Sequence, residues 1–270
     1  MIIKRRFSNF LLGSILLMGV VSCGEYQNAL KGTDVKVKYT LAEKLYNDGE
    51  YKKALRLFDQ IAPQYVNKPQ GERVLYFYAN SYYQIKDYTN AGYQFERFAK
   101  SYPRSDKAEE AYFLSAKCSY MLSPRYSIDQ TDTYTAINKL QEFIDRYPDS
   151  ELMTEANQYM QELKNKLEKK SYEIAKQYDK IRDYQASIKS FDMFLSDNPG
   201  SVYTEDALYY KLDAAYKLAT NSIMRKKEGR LDNAKTSYND LVEKFPESKY
   251  KEAADKMNAS IDDQLKEFSK

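Results

Sequence analysis

Histidine and tryptophan are both absent from the 270 residues, and glycine (9), proline (7) and cysteine (2) are scarce. Without histidine, a Ser-His-Asp triad, imidazole acid–base chemistry and any His-ligated metal site are excluded. So few glycines and prolines leave too little punctuation for a fold of many short strands, so helices are favoured from composition alone. A Gly-rich phosphate loop, CxxC, HExxH and GxSxG are also missing, and neither a catalytic centre nor a cofactor or metal is expected. Net charge is small. The formal +3 comes from Lys4, Arg5 and Arg6; beyond residue 22 there are 42 − 3 = 39 basic residues against 39 acidic ones. A nucleic-acid binder draws its affinity from excess positive charge, so nucleic acid is not an expected partner.

What the chain does have is 43% apolar and 30% charged residues, the range of an ordered soluble protein, and 27 tyrosines. Its one long apolar run, Phe10 to Val21, follows the basic Lys4-Arg5-Arg6 and is too short to span a bilayer as a helix. Residues 1–22 therefore read as a cleaved signal. The run Val20-Val21-Ser22-Cys23 resembles the bacterial lipobox, which implies cleavage before Cys23 and acylation of that residue, an anchor with more than one chain. Gly24 at the second mature position is not Asp, and no acidic cluster follows, so the periplasmic side of the outer membrane is the expected address. Residues 23–34 read as a lipidated tether. Cys118 then has no disulfide partner; beside Ala116, Tyr120 and Met121 it reads as a small buried hydrophobe.

The body of the chain repeats. Ala91, Phe95, Phe98 and Pro103 share their spacing with Ala136, Leu140, Phe143 and Pro148, with Ser187, Phe191, Phe194 and Pro199, and with Ala234, Tyr238, Leu241 and Pro246. The i, i+4, i+7 positions mark one helix face, and the proline stops the helix. Each proline is followed two residues later by serine (Ser105, Ser150, Ser201, Ser248), which predicts an N-cap, and eight later by alanine (Ala111, Ala156, Ala207, Ala254), which predicts close helix approach. Upstream, Ala42, Ala79 and Ala175 each precede the next small residue by twelve, with Tyr51, Tyr88 and Tyr184 between. This matches the tetratricopeptide pattern of helix, turn, helix. The fold class is all-α: a helical-hairpin solenoid of five repeats and a C-terminal capping helix, stacked into a superhelix with a concave face. Second helices are predicted near 51–65, 88–102, 131–147, 184–198 and 231–245. One long helix is predicted over Glu151–Tyr178, and another from about Tyr203 to Lys227 with the basic cluster Arg225-Lys226-Lys227 at its C-terminal end.

A lipobox cysteine, a short tether and five such units together resemble the BamD family, lipoproteins of the outer-membrane β-barrel assembly machinery. Local matches are Arg97-Phe-Ala-Lys-Ser-Tyr-Pro103, the expanded third repeat from Ser127 to Ser150, and Ala214-Ala215-Tyr216-Lys217, with Lys217 where the family commonly has Arg. The resemblance implies that repeats 1–3 (35–149) bind unfolded β-barrel precursors and that repeats 4–5 with the cap (150–270) hold the barrel insertase. In tetratricopeptide arrays the concave lining comes from the first helix of each pair. The expected precursor groove is therefore Tyr39, Tyr46, Asn47, Arg73, Tyr76, Asn80, Tyr83, Lys117 and Tyr120, unless these tyrosines only fill the space between helices. The expected partner surface is Tyr210, Asp213, Tyr216 and Lys217 with the basic cluster Arg225-Lys226-Lys227, unless that cluster only complements a helix dipole. A different periplasmic scaffold, serving pilus secretins or envelope division, and a glycan-binding lipoprotein remain the alternatives; the second class is usually about twice as long.

Overall fold

The computed structural model describes residues 24–66 and 68–268, and every regular element among them is an α-helix. After α1 (24–31) come the hairpins α2 (Val35–Asn47) with α3 (Tyr51–Tyr65), α4 (Gly71–Gln84) with α5 (Tyr88–Ser101), and α6 (Ala108–Leu122) with α7 (Thr131–Arg146). The long α8 (Met153–Lys180) then pairs with α9 (Tyr184–Asp197), α10 (Thr204–Thr220) pairs with α11 (Met224–Lys244), and α12 (Lys251–Leu265) closes the series. Helices pack chiefly on their neighbours in sequence, from α2 on α3 through to α6 on α7, and again from α9 on α10 through to α11 on α12. The chain forms two compact units, one up to Pro124 with Gln130–Leu163, the other Arg125–Asp129 with Lys164–Lys270.

In the first unit the predicted repeat positions are the core. Phe95, Phe98, Leu140 and Phe143 are fully buried, and Leu57, Phe58 and Ile61 of the first hairpin, which the repeat spacing does not name, are buried with them. Each such side chain contributes about 1.5–3 kcal/mol, while an exposed ion pair contributes at most about 1 kcal/mol, so apolar spacing and not charge holds the hairpins. The first unit continues past the expected division at 149/150 because Ala156, Met160 and Leu163 on α8 cover Phe113, Leu140 and Phe143. In the second unit, Tyr172 and Ala175 pack on Phe191, Phe194 and Ala207. Leu212, Leu231, Leu241 and Ile261 form the adjoining core under α12.

The prolines act as predicted. Tyr102, Tyr147, Asn198 and Phe245, each just before its proline, end α5, α7, α9 and α11 with φ between −127° and −134°. With ψ between 61° and 76° they have left the α region, which a following proline disfavours. Three details differ from expectation. Residues 24–31 are helical rather than a tether, because Tyr26 and Ala29, three apart, bury one face against the first hairpin. The serines after the prolines do not cap the helices. Ser105, Ser150, Ser201 and Ser248 lie two residues ahead of the caps and accept the N–H of Lys107, Leu152, Tyr203 and Tyr250. Each also donates its hydroxyl proton to a carboxylate: Ser105 to Glu72, Ser150 to Glu109, Ser201 to Glu168 (2.7 Å) and Ser248 to Glu205 (2.7 Å). Third, the predicted helix 203–227 stops at Thr220, where Thr220 and Asn221 turn their side chains back onto the Lys217 carbonyl. Arg225, Lys226 and Lys227 consequently sit in the first turns of α11, at its positive end, and not at a helix C-terminus.

Candidate functional site

In the first unit the predicted groove residues lie on α2, α4 and α6 and are joined from helix to helix. Tyr46 of α2 stacks on Phe77 of α4 at 4.1 Å between ring centroids, and its hydroxyl accepts from Asn80. Arg73 pairs with Glu43 of α2 and lies 5.2 Å from the Phe77 ring. Tyr39 packs on Tyr65 at 5.7 Å. Tyr76 meets Phe95 and Phe98 edge-on, and Lys107 sits 5.5 Å over its ring. Burial, then the hydrogen bond to Glu110, pushes the Tyr76 hydroxyl well above the usual tyrosine range. Tyr83 meets Tyr88 and Phe95 edge-on.

Between α6 and the first part of α8 the ladder continues. Tyr120 stacks on Tyr159 at 4.2 Å and donates to Glu162. That bond, with burial, pushes its hydroxyl up to about 12. Lys117 pairs with Glu155 at 2.7 Å and lies 5.5 Å from the Tyr159 ring. Burial works against the Lys117 charge, but Glu155 and Tyr159 outweigh it and raise its pKa. Asn47 is exposed at the end of α2 and joins none of these contacts. The arrangement is a strip of half-buried aromatic faces, with Arg73 (side chain 59% exposed) as its most accessible cation.

In the second unit Lys217 is already engaged. Its ammonium contacts Asp213 Oδ2 at 2.6 Å and Asp179 Oδ2 at 3.0 Å, and lies 6.0 Å from the Tyr184 ring. Burial raises the Asp213 pKa despite Lys217. Tyr216 shares a hydrogen bond with Ser260 of α12 at 3.0 Å. Tyr210 belongs to a second aromatic cluster that the repeat spacing alone does not single out. Tyr172 stacks on Tyr203 at 4.9 Å and Tyr209 on Tyr250 at 3.9 Å, with Lys176 4.8 Å from the Tyr210 ring. A cleft of about 440 Å³ between α9, α10 and α11 also escaped sequence reading. Lys211, one of its lining residues, is only 16% exposed and pairs with Asp192 at 2.8 Å and Asp240 at 3.4 Å. Nothing marks Lys211 in the sequence, because both partners lie on other helices.

Cys118 is free and buried, and burial pushes its thiol up to about 12, far from a nucleophile's range. Among the described residues no group of three or more His, Cys, Asp or Glu is placed to hold a metal, and no helix is long and apolar enough to cross a membrane. The expected signal (1–22) and the acylated Cys23 lie outside the described residues.

Three relatives are similar over most of the chain. The outer membrane protein assembly factor BamD of Caulobacter vibrioides is 23% identical over 76% of this chain and 66% of its own length, just under two thirds. A putative BamD of Aquifex aeolicus is 27% identical over 89% of this chain and 80% of its own. BamD of Rickettsia prowazekii is 23% identical over 89% and 93%. The profile of the YfiO family, described as outer membrane lipoprotein, matches residues 32–231 and 183–268, which together take in nearly all of the helical repeats. This tetratricopeptide-like chain thus belongs to the YfiO family of outer membrane lipoproteins.

Proposed function

We propose that this protein is a non-catalytic subunit of outer-membrane protein assembly, anchored through acylated Cys23 and facing the periplasm. Its repeats over 35–149 capture unfolded β-barrel precursors, and those over 150–270 hold the barrel insertase. Family membership carries the reading, and relatives named as assembly factors support it.

The chemistry of the first unit suits the role. A barrel precursor strand presents alternating aromatics and often ends in a carboxylate. Aromatic pairs add about 0.5–1.5 kcal/mol beyond burial, so a few faces such as Tyr46, Tyr83 and Tyr120 give reversible capture rather than tight binding. Arg73 and Lys117 already have carboxylate partners, so an incoming carboxylate exchanges with Glu43 or Glu155 instead of filling a vacant site. That competition weakens binding and favours hand-off. In the second unit Lys217 is shared between two aspartates, so the insertase meets a hydrogen-bonded cluster and not a lone cation.

Depletion of the protein is expected to lower barrel proteins in the outer membrane; unchanged levels would end the assembly reading. Photocrosslinkers at Arg73, chosen for its exposure, and at Lys217 are expected to trap precursor and insertase respectively. Swapped or absent products would refute the division of labour.

A further inference from the structure

The second unit carries an edge whose composition its own folding does not require. Ile181 is 65% exposed, Ile223 64% and Met224 61%. Ile181 tips the turn from α8 to α9, while Ile223 and Met224 tip the turn from α10 to α11. These turns lie together. Lys217, near the end of α10, reaches Asp179 at the end of α8, and Arg230 of α11 donates to Ser222 at 2.6 Å. Around the apolar tips stand Lys180, Arg182, Arg225, Lys226 and Lys227, none of which pairs with a carboxylate among the described residues. Of the nearby acids, Asp179 and Asp213 bind Lys217 and Asp183 caps α9, leaving Glu228 beside the cations.

Local stability would select otherwise. Ile223 stands at the N-cap of α11 and forms no side-chain cap, and the first turn after it holds cations and no acid. Capping residues are normally polar, and acids are preferred at a helix's positive end. Local rules broken in this way are expected where a partner compensates. Lysine, of which the edge holds Lys180, Lys226 and Lys227, is depleted at protein interfaces, whereas aliphatic tips among basic residues are the composition of bilayer-surface contacts.

We propose that this edge docks on an anionic phospholipid surface, a membrane contact separate from the acyl anchor. Ile181, Ile223 and Met224 enter the boundary between headgroups and acyl chains, and the surrounding cations pair with lipid phosphates.

The test uses the full chain purified from membranes and reconstituted into vesicles of phosphatidylcholine, alone or with phosphatidylglycerol. A polarity-sensitive fluorophore is placed at Ile181→Cys, Ile223→Cys or, as control, Met193→Cys, which is 57% exposed on α9. Buried Cys118 stays unlabelled. Labels at 181 and 223 are expected to shift to the blue and to be quenched several-fold more than the control by nitroxide-bearing lipid. This occurs only with phosphatidylglycerol present, and is abolished by the triple reversal Arg225→Glu, Lys226→Glu and Lys227→Glu. Vesicle flotation scores the anchor separately, because acyl insertion is indifferent to both the anionic lipid and the reversal. Water-like emission at both positions in both vesicles overturns the proposal. So does a shift that appears only after another assembly protein is added, which would give the edge to a protein partner.

Discussion

Three residues between paired helices adopt left-handed backbone: Gly49 (φ +77°), Lys86 (φ +64°) and Arg182 (φ +65°). Side chains disfavour that region by about 1–2 kcal/mol, and only glycine is free of the penalty. A Cβ on Gly49 would touch nothing within 4 Å, so Gly49→Ala isolates the backbone effect. We expect it to lower unfolding free energy by about 1 kcal/mol with an unchanged denaturant slope. Lys86→Gly should be neutral or stabilising by under about 1 kcal/mol, because glycine's larger unfolded-state entropy offsets part of the relief. Denaturant midpoints check both; a clear loss in Lys86→Gly would mean that its turn is held by contacts of the Lys86 side chain instead. At this scale the small packing positions were legible. Ala91, Ala136 and Ala234 are wholly buried, and Ser187 fills the same place by donating to the Ala175 carbonyl at 2.9 Å. The partners of the tyrosines were not legible, since Tyr46 with Phe77 and Tyr120 with Tyr159 meet across helices at distances no local period encodes.

The hairpins are tied to one another by the serine that follows each proline. Ser201 bridges the start of α10 to Glu168 on α8 while holding the Tyr203 N–H. A hydrogen bond to a charged group contributes about 1.5–3 kcal/mol when well sheltered, and this one is half-buried. Ser201→Ala is therefore expected to destabilise by about 1–2 kcal/mol. Combined with Glu168→Gln the loss should be clearly less than the sum of the two, since both remove the same contact. Additive losses in urea titrations would sink the bridge. The serine itself was visible in the repeat, but its role was not. The acceptor lies 33, 41, 33 or 43 residues upstream, too variable a separation to read as a motif. The break at 221–223 was missed for a related reason: with neither glycine nor proline there, the apolar and basic pattern runs on through Ile223 and Lys227.

For the whole molecule, acid sensitivity follows from a few bridging carboxylates. Hydrogen bonds from Lys100 and Lys139 hold Glu96 below the usual glutamate range, and those from Lys117 and Tyr159 do the same for Glu155. A lowered folded-state pKa contributes stability that is complete above the unfolded value, about 4.3, and is lost as pH falls through the folded one. Asp213, raised by burial, acts in the opposite sense. Stability should thus be flat from pH 7 to about 5 and decline below about 4.5. Glu96→Gln, on a carboxylate a third exposed, should lose no more than about 1 kcal/mol at pH 7, and progressively less as pH falls through the lowered folded-state pKa. A difference that does not shrink as pH falls would assign the loss to packing. The all-helical repeat and the long α8 were readable because prolines and apolar spacing recur; the unit boundary inside α8 was not, because the helix pattern is uninterrupted there. Packing of helices on their sequence neighbours has one more consequence. A polypeptide leaving a translocation channel N-terminus first can complete most hairpins as it emerges, and the glutamates bridged by Ser105, Ser150, Ser201 and Ser248 wait only for the helix that follows their own hairpin.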